Sequence, residues 1–150
     1  MKFQFIWVGR TRDKNWRSLE EHYLGRLSHF VRTEIDVVKD ASGQTAITAE
    51  GKSILAKLDR KPYVCLLDVK GTGTTSEELA ASIEGWQNRG VREVAFIIGG
   101  ASGVSEEVAA RADRVLSLSF LTFTHEMARV VLLEQLYRAY TIINNFPYQK

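Results

Sequence analysis

Five short apolar runs alternate along the chain with stretches whose apolar residues recur at helical spacing, and this alternation constrains the fold more than any other feature. Runs at residues 3–8, 34–38, 63–69, 93–98 and 114–118 read as strands. Between the first two, Trp16, Leu19, Tyr23, Leu27 and Phe30 line one face of a helix. Residues 48–58, 76–90 (capped by Ser76), a short segment capped by Ser105, and residues 125–144 read as the remaining helices. Strands that alternate with helices imply a largely parallel sheet covered on both faces, an α/β fold. No repeat, low-complexity tract or break in composition interrupts the 150 residues, so one domain over 1–150 is expected.

Several classes of protein are excluded early. No run of about 18 uncharged apolar residues is present to span a membrane. The first apolar run, at residues 3–8, is too short for a signal-peptide core. Cys65 is the single cysteine, so no internal disulfide can form, and a reducing cytoplasmic home is expected. No Cys/His spacing suits a metal. A net charge of +2 permits a polyanionic partner without requiring one.

Ligands of parallel α/β sheets bind beyond the carboxyl ends of the strands, which directs attention to the loops 70–75, 99–105 and 119–124. Gly71-Thr72-Gly73 precedes a helix as a dinucleotide-binding turn does, but Ser76 stands where a third glycine belongs and the usual acidic residue downstream is missing. A nicotinamide oxidoreductase is the reading that this turn alone would support. Gly99 and Gly100 close a strand, where they serve either a turn of positive φ or the close approach of a ligand or another chain segment. Leu118, Ser119, Phe120, Leu121, Thr122 and Phe123 join a strand to a helix and are mostly apolar. Exposed loops are polar, so a ligand, a second subunit or the chain itself should cover this one.

The last helix carries a similar hint. Val130, Leu132, Leu133, Leu136, Tyr137, Ala139, Tyr140 and Ile143 cover more than half its circumference, which suggests a second subunit. Arg129 falls inside that arc near the positive end of the helix dipole, where a cation needs an anion to balance it. It is either functional or the partner of a carboxylate such as Glu126 or Asp68. Glu134 and Arg138, four residues apart on the polar side, read as a solvated pair. His22 and His29 read as surface residues of the first helix, and Cys65 as an inert buried thiol.

Leu67-Asp68, Ile98-Gly99-Gly100, the run from Ser117 through His125, then Arg129 and Glu134-Gln135-Leu136-Tyr137-Arg138-Ala139 closely resemble one bacterial family. It is the group of large-subunit rRNA pseudouridine-N3-methyltransferases within the SPOUT superfamily. The resemblance extends from Val8-Gly9 to Pro147-Tyr148 and is most specific over residues 117–139. It implies an α/β homodimer with a C-terminal trefoil knot, which the apolar pattern alone would not suggest. It also implies S-adenosylmethionine held by Leu67, Gly99, Leu118, Ser119, Phe120, Leu121, Thr122 and Phe123. The implied partner is 23S rRNA within the assembled ribosome, with no membrane and no metal. Arg129, Tyr148 and His125 become the candidate catalytic residues.

One departure matters. Many relatives end in Pro-Tyr-His, whereas this chain has Pro147-Tyr148-Gln149. Glutamine can hydrogen-bond but cannot take up the N3 proton of a pseudouridine. A member of the fold that binds ribosomes and has lost catalysis is therefore the alternative expectation.

Overall fold

The computed structural model describes residues 1–148. In chain order the elements are β1 (Lys2–Val8), α1 (Lys14–Leu27), β2 (Arg32–Val38), α2 (Ala46–Ala56), β3 (Tyr63–Gly73), α3 (Ser76–Asn88), β4 (Glu93–Ile98), α4 (Glu106–Arg111), β5 (Arg114–Ser117) and α5 (His125–Ile143). The strands form one parallel sheet in the order β2-β1-β4-β3-β5. The α/β expectation therefore holds.

Side chains alternate across a strand, so each strand supplies both faces of the sheet. Phe3, Phe5, Trp7, Cys65, Phe96 and Ile98 point to one face and join Leu27 of α1, Ile83 and Trp86 of α3, and Leu132, Leu133 and Leu136 of α5. Ile6, Val8, Val64, Leu66, Ala95 and Ile97 point to the other, where Ile54 of α2 and Val108 of α4 cover them. Continuous apolar runs, rather than alternating ones, follow from burial on both sides.

Capping chemistry sets the helix starts. Asp13 accepts from the Asn15 and Trp16 amides and opens α1 two residues before the position expected. Thr75 rather than Ser76 caps α3, in a reciprocal box with Glu78. Glu78 accepts from the Thr75 backbone and hydroxyls nearby, which holds its carboxyl below the usual carboxylate range. Ser105 caps α4 as expected, and Thr124 caps α5.

Two expectations are corrected by the packing. Residues 70–73, expected as loop, continue β3 past a register shift and pair Thr72 and Gly73 with Leu116 and Ser117 of β5. The Gly71 segment is thus sheet and not a phosphate-cradling turn. A Cβ on Gly71 would lie 2.7 Å from the Val115 carbonyl oxygen, so only glycine lets the two strands cross this closely. The wide apolar arc of α5 is satisfied inside the chain, because α5 packs on the sheet between α1 and α3. Leu132, Leu133, Leu136 and Ala139 are fully buried without a second subunit. The arc therefore gives no argument for a dimer.

Candidate active site

The carboxyl ends of β3, β4 and β5 open onto a cleft of about 690 Å³. That is within the ordinary range for a small-molecule site. Its walls come from Leu67, Asp68 and Val69 of β3, the loop 98–104, the loop 118–124, the first turn of α5, and Trp16 of α1. Two of the three loops singled out by the strand-end rule, 99–105 and 119–124, meet here; no residue of 70–75 lines the cleft, and β3 contributes through Leu67, Asp68 and Val69 instead.

Of the cofactor residues expected, Leu67, Gly99, Leu118, Ser119, Leu121, Thr122 and Phe123 all line the cleft. Phe120 does not: its ring turns outward beside Gly73 and is 82% exposed. Leu121, 75% exposed, stands at the mouth. Hydrogen bonds from the Ser117 hydroxyl to the Ser119 carbonyl (2.9 Å) and from the Leu121 amide to the Ser119 hydroxyl (3.0 Å) shape this loop from within.

Gly99 owes its identity to its own chain. A Cβ there would meet the Gly103 carbonyl oxygen at 2.9 Å and Val104 Cγ1 at 2.8 Å. The positive φ of this loop belongs to Gly103, at 82°, whose amide closes a turn onto the Gly100 carbonyl. Gly99 thus sets how tightly the loop folds back, and through that the shape of the cleft floor.

The three candidate catalytic residues fall in three different places. His125 lines the cleft at the first turn of α5. Arg129 is fully buried and outside the cleft. Its guanidinium donates to the Val8 carbonyl (2.7 Å) and the Thr11 hydroxyl (2.9 Å) and lies 5.1 Å from the centre of the Trp7 ring. Burial pulls its pKa below the usual guanidinium value, and the charges of Glu20 and Glu126 oppose that shift. An arginine enclosed in this way grips no RNA phosphate and no base. In this chain its two terminal nitrogens hold the Val8 carbonyl and the Thr11 hydroxyl while its Nε is buried without a partner, and Glu20 was missing from the sequence-based candidates for its balancing anion.

Tyr148 lies along α5, with its hydroxyl donating to Glu134 (3.1 Å), its ring edge-on to Tyr137 and the Arg138 guanidinium 5.0 Å from its centre. Glu134 follows His125 by nine residues, about 13 Å of helix, so the tyrosine sits well away from the cleft of its own chain. Burial raises the phenol pKa, with hydrogen bonds to Tyr23 and Glu134 adding to the shift. At neutral pH Tyr148 is a hydrogen-bond donor and not a base. The Glu134–Arg138 pair, expected to be merely solvated, is partly buried and holds this tyrosine. Gln149 lies outside the described residues.

The cleft combines apolar and aromatic walls with carboxylates. Trp16, Leu118, Leu121 and Phe123 offer apolar and aromatic surface, and Asp68 and Glu126 supply carboxylates against positive charge. Among the described residues no cluster of histidine, cysteine or carboxylate side chains could hold a metal. Nor is any helix among them long and apolar enough to cross a membrane.

Two solved structures share this fold. One is a probable methyltransferase from Bordetella pertussis, with TM-score 0.60, 11% identity, and coverage of 91% of this chain and 95% of the other. The second is a probable methylase family protein from Haemophilus influenzae, with TM-score 0.58, 12% identity, and coverage of 95% and 66%. At such identities the likeness concerns the fold alone. In sequence, residues 1–149 match the family described as "Predicted SPOUT methyltransferase", and the chain belongs to that family. Its relatives are specific. A protein of Geobacter sulfurreducens named Ribosomal RNA large subunit methyltransferase H is 44% identical over 99% of both chains. Its namesake in Desulfotalea psychrophila is 40% identical over the full length of both.

Proposed function

We propose that this chain uses S-adenosylmethionine to methylate N3 of a pseudouridine in 23S rRNA, on the assembled ribosome in the cytoplasm. The observation that carries the reading is the convergence of Leu67, Gly99 and the loop 118–123 on one cleft, within a chain 44% identical to a named rRNA large-subunit methyltransferase. In this reading Leu67, Gly99, Leu118, Ser119, Leu121, Thr122 and Phe123 hold the cofactor, with Asp68 and Glu126 facing its positive charge. Bound there, S-adenosylmethionine supplies an already activated methyl group. The protein's main task is then alignment, which can be worth about 7–11 kcal/mol of barrier. His125 is the imidazole at the cleft and the candidate acceptor of the N3 proton, a role that adds about 10²–10⁴-fold.

The active unit in this reading is a homodimer whose C-terminal knot is the one the family resemblance implies. Phe120 and Leu121 provide exposed apolar surface beside the cleft for a second subunit to cover. Tyr148, lying far along α5 from its own cleft, belongs to the tail that would complete the partner's site.

The test is transfer of labelled methyl from S-adenosylmethionine to ribosomes that lack the modification, with the product nucleotide identified by mass spectrometry. A methylated pseudouridine in 23S rRNA is the expected result. Absence of methyl transfer to rRNA overturns the reading. Gln149 gives a second reading, a ribosome-binding member that has lost catalysis. Cofactor binding and ribosome association without transfer would select it.

A further inference from the structure

The basic loop at residues 10–14 is not absorbed by the cofactor cleft, yet side chains from α1 and α5 brace it closely. Charged side chains from two helices converge on its backbone. Arg129 of α5 holds the Val8 carbonyl and the Thr11 hydroxyl, and that hydroxyl donates to buried Glu20 of α1 at 2.5 Å. Arg17 donates to the Thr11 and Arg12 carbonyls. Glu126 accepts from the Arg12 and Asp13 amides. Asp13 is turned into the cap of α1.

This bracing turns Asp13, Glu20 and one oxygen of Glu126 towards amide and hydroxyl donors rather than towards the loop's cations. What remains outside is Arg10, Arg12 and Lys14, all exposed, and among the described residues none has a carboxylate at ion-pair distance. The loop is also fixed in place relative to the cleft, because Glu126 and Trp16 belong both to its surroundings and to the cleft wall. Free cations carried on a braced backbone at the rim of a site are suited to a polyanion, since little loop ordering is left to oppose binding.

We propose that residues 10–14 form a preorganised phosphate grip for the RNA strand that enters the cleft, with Arg10, Arg12 and Lys14 as its contacts and Arg129 as the positioning residue behind it. The proposal rests on the rRNA methyltransferase reading and adds to it the surface on which the substrate backbone lies. It also removes the difficulty posed by a net charge of only +2, because the positive potential is local to the rim.

The experiment replaces all three cations by glutamine (Arg10→Gln, Arg12→Gln, Lys14→Gln) and measures methyl transfer to unmodified ribosomes across a potassium chloride series. Each phosphate contact removed lowers the slope of log affinity against log salt by about 0.7–0.9. The triple variant should therefore show a slope smaller by about two, a KM for ribosomes at least about tenfold higher, and an unchanged kcat. Its S-adenosylmethionine affinity in calorimetry and its melting temperature should match the wild type. A control variant, Arg60→Gln with Arg92→Gln at the opposite end of the sheet, should leave KM and slope unchanged.

A second measurement identifies what the loop touches. Cys65 is fully buried, so Arg12→Cys gives one accessible thiol for an aryl-azide crosslinker. Crosslinks to 23S rRNA are expected. Crosslinks only to ribosomal protein, or a triple variant with the wild-type salt slope, overturn the proposal while leaving the methyltransferase reading intact. Failure of the wild type to transfer methyl at all would instead fall on that reading.

Discussion

Thr11 joins two buried charges that do not touch each other directly. Its hydroxyl accepts from Arg129 and donates to Glu20, so one oxygen atom spans cation and anion. Glu20 feels burial most strongly, which raises its carboxyl pKa, with the Thr11 hydrogen bond and Arg129 pulling it back. Thr11→Val keeps the shape and removes the bridge, leaving a buried donor and a buried acceptor unmet. The expected loss is about 2–4 kcal/mol, measured by urea denaturation, whereas Thr11→Ser should lose less than about 1 kcal/mol. A Thr11→Val protein as stable as the wild type would show that the two charges are paired by other means. Cys65 provides a second check at this scale. Burial pushes its thiol up to about 12, so its thiolate is negligible at pH 8. Ellman's reagent should react with the native protein no faster than the protein unfolds.

At the scale of elements, the strand and helix order was legible in the sequence because burial on both faces leaves continuous apolar runs separated by amphipathic stretches. Three features were not. The continuation of β3 through Gly71 to Gly73 lies in a glycine and threonine segment that reads as loop, and only the approach of β5 makes it sheet. The apolar arc of α5 reads as an interface, because periodicity cannot say how many neighbours share a helix, and here α1 and α3 take both flanks. Arg129 reads as functional because an arginine among leucines is conspicuous, while the Val8 carbonyl and Thr11 hydroxyl that accept from its two terminal nitrogens are more than 100 residues away. The cleft itself was partly legible, since it follows from strand direction and from the loops 99–105 and 119–124, whereas the expected loop 70–75 takes no part in it. Trp16 was missed because α1 lies far from those loops in sequence. The same close approaches make a prediction. Gly99→Ala must push back the Gly103 carbonyl and Val104, so S-adenosylmethionine affinity in calorimetry should fall at least about tenfold in a protein with unaltered circular dichroism. Full affinity would mean that the loop 99–104 is free to give way.

For the molecule as a whole, the proposed homodimer would form at the cleft rim rather than along α5. Phe120 and Leu121 are the most exposed large apolar side chains described, and covering each contributes about 1.5–3 kcal/mol. Light scattering should therefore give about twice the chain mass of 17.0 kDa at micromolar concentration, and Phe120→Asp with Leu121→Asp should shift it towards monomer. A stable wild-type monomer would refute the assembly. Removing residues 148–150 should abolish methyl transfer while S-adenosylmethionine affinity stays within about twofold, if the tail completes the partner's site. Gln149→His should raise the single-turnover rate near and above neutral pH, where imidazole is neutral and can accept a proton. An unchanged rate would mean that no base is missing.

The hydrogen bond from Arg129 to the Val8 carbonyl spans 121 positions of a 150-residue chain. Its consequence concerns birth rather than catalysis. A chain is made from the N-terminus onward, so β1 and the loop behind it are made well before α5. The cation that holds that loop is made 118 residues after Thr11. Until α5 has been released and docked, Thr11 and Glu20 have no arginine to meet, and the loop 10–14 stays loose. In the proposed reading, the phosphate grip is thus completed only once α5 has been made and docked.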